Sequence, residues 1–233
     1  MLQKTEGIVL KTVRYSDTSL IAHIYTRDYG WLNFIIPGIR SSRNKSKGNI
    51  IQPLQYLELE IYFASNRNLM KLKEYRPAYI YSFLHQDMHK QSVALFALEV
   101  FSKCVKEQEQ NIELFDFLSD YLISLDNSNE NLKLAAPNFL LKFSQYLGFQ
   151  PLENEDGRYF HLLEGHFTEI QDGYTLNEEE SNLWRKMLKD EMSEVSKNFE
   201  REVLLEKLLL YFKMHMPGFP ELNTVSVLKN LLH

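Results

Sequence analysis

Gln55-Tyr-Leu-Glu-Leu-Glu-Ile-Tyr-Phe63 alternates, with Tyr56, Glu58 and Glu60 on one face and Leu57, Leu59 and Ile61 on the other. A side-chain period of two with one apolar face predicts a half-buried strand. Upstream, Gly7 to Val13, Leu20 to Thr26 and Trp31 to Ile36 are β-branched and apolar, and Leu69 to Tyr75 follows downstream. Polar connections separate them: Arg14 to Thr18, Asp28-Tyr-Gly30 and Asn66-Arg-Asn68. Gly30 supplies the positive φ that a tight hairpin can require. Five short strands in succession predict a small barrel or sandwich. A five-stranded Greek-key barrel of the OB type fits best, a fold that commonly binds single strands.

From Leu84 the period changes. Val93, Phe96, Ala97, Val100, Phe101 and Cys104 recur at three- and four-residue spacing, which predicts an amphipathic helix. Further helices are expected over Glu113 to Leu125, Asn131 to Leu147, from Asn177 onward, Phe199 to Met214 and Thr224 to Leu232. Gly148 stops the third, and Pro137 bends it or splits its first turn. Asn177 is placed to cap the helix that opens with Glu178, Glu179 and Glu180. The fold class is therefore α+β: an OB-type barrel over 1–80, then a helical domain over 81–233. An irregular excursion, rich in glycine and aromatics, interrupts the second at about 150–175.

The net charge of −5 hides an asymmetry. Residues 1–80 hold twelve Lys and Arg against six Asp and Glu, and the remainder fourteen against twenty-five. A basic N-terminal part suits an anionic partner. The other reading is two domains of different surface charge with no such partner. No apolar run approaches the ~18 residues that span a bilayer, so no membrane partner is expected. The first residues run directly into a strand pattern without a signal-peptide layout, and a single cysteine, Cys104, excludes an intrachain disulfide. A cytoplasmic location is the expectation.

Between the third and fourth strands lies Gly38-Ile-Arg-Ser-Ser-Arg-Asn-Lys-Ser-Lys-Gly48, with Arg40, Arg43, Lys45 and Lys47 and no acid. It reads as an exposed cationic loop suited to a nucleic-acid backbone, or else as a solvated loop kept polar. Lys11, Arg14, Lys71, Lys73 and Arg76 are the next candidate DNA contacts. Tyr15, Trp31, Phe34 and Tyr62 are candidate stacking platforms or core, with Trp31 the first choice because it follows the Gly30 turn. His85 and His89 stand four apart, a spacing that holds a metal on a helix, but Gln86 replaces the glutamate of a metalloprotease signature. Ser42-Arg-Asn-Lys45 matches a Ser-x-x-Lys pattern without its companion motifs. No phosphate-binding glycine loop is present, so no nucleotide hydrolysis is expected, and with no catalytic constellation in the sequence neither an enzyme nor a cofactor is expected.

The chain resembles the bacterial RecO family of recombination mediators. The resemblance runs through Thr5-Glu-Gly-Ile-Val-Leu-Lys-Thr12, Tyr15, Thr18-Ser19, Tyr25-Thr26, Gly30 and Gly38 with the basic loop. It continues in Gln52-Pro53-Leu54, Leu72-Lys73-Glu74, Leu147-Gly148-Phe149 with Pro151, and then Leu209, Tyr211, His215 and Val227-Leu228. It implies an N-terminal OB-fold, a helical C-terminal domain and no enzyme active site. It also implies binding of single- and double-stranded DNA, annealing of complementary strands, action with RecR, and engagement of the acidic C-terminal tail of single-stranded DNA-binding protein (SSB). An acidic, aromatic-ended tail needs an apolar pocket rimmed by cations. Lys142 with Phe139 and Phe143, or Arg201 with Lys207 and Lys213, could supply one, and each set also reads as an ordinary helix face. Many members hold zinc with four cysteines after the position of Phe149. This sequence has none there, so no metal is expected, and the excursion must pack through Tyr159, Phe160, Leu162, Leu163 and Phe167.

Replacing Arg40, Arg43, Lys45 and Lys47 together by alanine is expected to weaken binding of a labelled single-stranded oligonucleotide. It should also make the salt dependence shallower, by about 0.7 for each phosphate no longer neutralised. Fluorescence anisotropy against salt concentration measures both.

Overall fold

Alternating burial along the N-terminal strands rolls them into a barrel. The computed structural model describes residues 1–39, 50–64, 66–128, 132–153, 157–191 and 198–231. Strands β1 (Leu2–Arg14), β2 (Leu20–Thr26), β3 (Gly30–Ile36), β4 (Tyr56–Tyr62) and β5 (Met70–Tyr79) close in the order β1-β2-β3-β5-β4. Neighbours run antiparallel except at the seam between β3 and β5. That seam is parallel and two residue pairs long, Phe34 with Met70 and Ile35 with Lys71. Val9, Ala22, Ile24, Leu32, Phe34, Leu57, Leu59 and Ile61 fill the interior. The alternation read from Gln55 to Phe63 is thus the inward and outward parity of β4.

A bulge breaks the register of β1 between Val9 and Lys11. Val9 opposes Ile24 in the core, whereas Lys11 opposes His23. In a regular strand residues two apart share a face. The extra residue reverses the parity and turns Lys11 outward. At Gly30 the φ of +62° is the left-handed value expected of a tight turn. A side chain there would also place its Cβ 2.3 Å from the Glu109 carbonyl oxygen, so the turn is held close against the segment that follows.

Helices α1 (Met88–Cys104) and α2 (Ile112–Asn127) cover one outer part of the barrel. Tyr25 meets Phe101 edge-on at 4.9 Å and stacks near Phe115 at 6.4 Å, and Tyr56 meets Phe115 at 5.8 Å. Arg27 clasps Asp116 through two hydrogen bonds, 2.5 and 3.1 Å. The Trp31 N–H donates to the Glu107 carbonyl at 3.0 Å. Near the end of α2, fully buried Asp126 accepts the backbone N–H groups of Ser82, Phe83 and Leu84 at 2.9, 2.8 and 2.6 Å. The Lys90 ammonium donates to the Asp126 carbonyl at 2.6 Å.

These contacts explain why the first compact unit runs from Met1 to Ser128 and the second from Asn129 to His233. The break in sequence period near residue 80 lies inside the first unit, because the first two helices pack on the barrel.

The second unit holds a short 3₁₀ turn (Leu132–Leu134) and α3 (Ala135–Tyr146), with Pro137 in the first turn, where proline is tolerated. It continues with a hairpin of β6 (Tyr159–His161) and β7 (His166–Thr168), then α4 (Glu178–Leu188), α5 (Asn198–His215) and α6 (Thr224–Leu231). Asn177 and Glu180 form a reciprocal capping box at the start of α4. The irregular excursion is this hairpin, and aromatics hold it. Phe160 stacks on Trp184 at 4.5 Å and meets Phe167 at 5.2 Å. The Tyr211 hydroxyl donates to the Phe149 carbonyl at 2.7 Å, and His215 Nε2 donates to the Leu162 carbonyl at 2.9 Å. Phe160, Leu162 and Phe167 pack as expected from the sequence; Leu163 instead lies exposed, and Tyr159 is half-buried.

Burial raises the cost of ionising Asp126, and the three N–H donors with the Lys90 ammonium outweigh it, so its pKa lies below the ordinary carboxylate value. Its stabilisation is therefore complete above the unfolded value, ~3.9, and is lost as pH falls through the lower folded value. Asp126→Ala is expected to speed hydrogen exchange at the Ser82, Phe83 and Leu84 amides about a hundredfold at neutral pH, ~3 kcal/mol. The acid-side fall in melting temperature should be smaller in Asp126→Asn than in the wild type.

Candidate nucleic-acid interface

On the barrel, Lys11, His23 and Asn33 stand side by side across β1, β2 and β3. The next outward row is Val13, Ile21, Ile35 and Lys71, across β1, β2, β3 and β5, with Tyr62 of β4 beyond. Helices α1 and α2 cover Ile8, Tyr25 and Tyr56, yet leave these rows exposed or half-exposed. The rows lie toward the end where β1 finishes, β2 starts, β3 finishes and β5 starts.

That end is also where the basic loop begins and returns. Ile39 on one side of it, and Ile51 on the other, are buried in the barrel core. Both roots are therefore anchored. Arg40, Arg43, Lys45 and Lys47 lie outside the described residues.

The remaining candidates separate into two groups. Lys11, Arg14 and Lys71 are exposed, and none makes an ion pair among the described residues. Arg14 closes β1 opposite Leu20, at the same end. Lys73 and Arg76 are held elsewhere. Lys73 Nζ sits 3.0 Å from Glu60, and Arg76 makes hydrogen bonds of 2.5 and 2.8 Å to Glu58. The hydrogen bond from Lys73 holds the Glu60 carboxyl below its ordinary pKa. Arg76, with the Glu58 and Glu60 partners of both cations, borders a groove of about 410 Å³ lined by Glu6, Asp28, Glu58, Glu60 and Glu74 against Lys4, Arg27 and Arg76. With five acids to three bases among these, the groove disfavours a polyanion.

The aromatic candidates also separate. Tyr15 and Tyr62 are exposed, 61% and 51%, whereas Phe34 is fully buried core. Trp31 is half-buried, and its indole N–H donates to Asn33 Oδ1 at 2.9 Å, which ties down the ring proposed for stacking. His23 was missed. Its signal was present in the sequence: it is the polar, outward position of an otherwise apolar strand, between Ala22 and Ile24.

In the second unit Phe139 and Phe143 are fully buried, so they cannot line an open pocket beside exposed Lys142. Arg201 is half-buried, Lys207 pairs with Glu180 at 2.9 Å and Lys213 with Glu221 at 2.6 Å. His85 precedes the cap residue Asp87, and His89 follows it in the first turn of α1, so the pair does not share a helix. Among the described residues no three His, Cys, Asp or Glu stand together as a metal-binding group. The hairpin's donors do not fit a structural zinc, since His161 is occupied with Asp172 at 3.2 Å and no thiolate is present. No described helix is long and apolar enough to cross a membrane.

Residues 1–81 match the family model described as "Recombination protein O N terminal" and residues 85–220 the one described as "Recombination protein O C terminal". The chain belongs to the RecO family. Among its RecO relatives, each named a DNA repair protein, that of Phocaeicola vulgatus is 34% identical, with 99% of each chain covered. That of Flavobacterium johnsoniae is 32% identical over 98% of each, and that of Bacteroides fragilis 31% over 99% of each. The family's place is in DNA repair and recombination. Its N-terminal model ends at residue 81, inside the first compact unit, while its C-terminal model spans α1 and α2 as well as the second unit as far as residue 220.

Because Phe143 is core, Phe143→Ala is expected to lower the stability of the second unit by about 3–5 kcal/mol. Lys142→Ala should change it by less than about 0.5 kcal/mol. Urea unfolding followed by Trp184 fluorescence in a Trp31→Phe background separates the two.

Proposed function

We propose that this RecO protein binds single- and double-stranded DNA on the uncovered rows of its barrel and anneals complementary strands. With RecR and the acidic tail of SSB as partners, it would help load recombinase onto SSB-coated DNA at the nucleoid. The observation that carries this reading is the set Lys11, Arg14 and Lys71, exposed and without ion pairs among the described residues, at the end from which the basic loop leaves. Exposed Tyr15 and Tyr62 flank it and offer stacking faces to unpaired bases.

Annealing needs no catalytic group. A cationic surface lowers the repulsion between two strands and raises their local concentration. Contacts to phosphates suit this because they carry no sequence preference. A short aliphatic row beside the cations also tolerates any base.

A second reading is an adaptor with weak DNA binding of its own. The acid-rich groove on β1, β4 and β5 favours it, together with the net charge of −5.

Combined alanine substitution of Lys11, Arg14 and Lys71 is expected to weaken oligonucleotide binding at least tenfold at low salt and to lower the salt slope by about 2. Substituting Lys73 and Arg76 should cost less than about threefold, since both are already neutralised. Anisotropy on the two variants decides between the faces. Absence of binding by the wild type at low salt would favour the adaptor.

A further inference from the structure

We infer that His23 is a proton-dependent phosphate contact, so that DNA affinity rises as its imidazole becomes charged; this rests on the DNA-binding reading above. The geometry fixes the tautomer. Asn33 Oδ1 accepts the Trp31 indole N–H at 2.9 Å, and Asn33 Nδ2 donates to the Asn68 carbonyl at 3.3 Å. Those two bonds orient the amide. His23 Nδ1 lies 2.7 Å from the same Oδ1. An amide oxygen has no proton to give, so Nδ1 carries the hydrogen and donates.

Nε2 is then the nitrogen left for a ligand, and it makes no hydrogen bond among the described residues. While neutral, Nε2 offers a lone pair, which repels a phosphate oxygen. Once protonated, it donates a charge-assisted hydrogen bond, and the bond from Nδ1 to Asn33 is undisturbed. The switch therefore changes only what faces outward. Histidine as a residue type changes charge between about pH 5 and 8, unlike the lysines and arginines of the same surface.

The groups around the ring are mostly cationic or neutral. Lys11 stands directly opposite on β1, so an anion bound at Nε2 would also meet an ammonium group. Among the described residues β3 contributes Trp31 and Asn33 beside it, and the β4–β5 turn Asn68, next to Arg67 in the chain. Two acids lie against the start of β3 among the described residues: Glu107, whose carbonyl accepts the Trp31 N–H and whose carboxylate accepts the Lys106 N–H at 3.1 Å, and Glu109, whose backbone stands over Gly30. No carboxylate pairs with His23 among the described residues.

The test measures dissociation constants for a labelled single-stranded oligonucleotide from pH 8.0 to pH 5.5 at fixed ionic strength. The wild type is expected to tighten about five- to tenfold as pH falls, the worth of one charge-assisted contact. In His23→Gln, which cannot change charge, the change should fall below about twofold. His23→Lys, which fixes the charge, should bind at pH 8.0 about as tightly as the wild type at pH 5.5. His85→Gln should keep the wild-type slope. An unchanged slope in His23→Gln, or no gain in His23→Lys, overturns the inference and leaves DNA binding standing. Wild-type protein that binds no DNA at either pH overturns the DNA-binding reading itself. Melting curves of each variant verify that the barrel is folded.

Discussion

The bulge between Val9 and Lys11 is the constraint on which the barrel's surface depends. Strand β1 is the long one, paired to β4 along its first half and to β2 along its second. Immediately before the bulge both faces of β1 are buried: Val9 in the barrel, and Ile8 on the outer face beside Tyr25 and Tyr56. After it, the outward face reaches solvent. One inserted residue moves a lysine from the parity of the core to that of the surface. Without it Lys11 would be driven inward, and the row with His23 and Asn33 would not exist.

The helices make the second division. Aromatic contacts from Phe101 and Phe115 cover the middle of the barrel wall, and Asp126 ties the end of α2 to the segment after β5. A carboxylate that accepts three backbone N–H groups locks both segments in one arrangement, because the buried Leu84 donor would otherwise lack a partner. What remains uncovered on β1, β2 and β3 is thereby set by helix packing rather than by the strands. Of the candidate cations among the described residues, those without an ion pair lie on that remainder, whereas Lys73 and Arg76 face the glutamates of β4.

The second unit holds its hairpin in place with aromatic side chains. Its hairpin is short and needs a partner to stay ordered. Phe160, Phe167, Trp184 and Tyr211 provide a fully buried or nearly buried aromatic cluster. The hydroxyl of Tyr211 and the ring of His215 then satisfy carbonyls that the hairpin and the end of α3 leave open. Arg185 adds a hydrogen bond of 2.6 Å to the Gly157 carbonyl, with its guanidinium 3.9 Å from the Phe167 ring centre.

Much of this was legible in the sequence. The period of two along Gln55 to Phe63, the positive φ at Gly30, the cap at Asn177 and the helix periods after Leu84 determined the elements and the α+β class. Segregation of charge pointed to the barrel as the cationic part. Tertiary structure alone decided which cations stay available, that Phe34, Phe139 and Phe143 are core, that Trp31 is tied to Asn33, and that the first two helices belong with the barrel. The reason is physical. Periodicity and capping are local, set by residues a few positions apart, so a linear reading captures them. Burial, neutralisation of a charge and the face left open depend on pairings such as Lys73 with Glu60, Tyr25 with Phe101 and Ser82 with Asp126, which only the folded chain brings together.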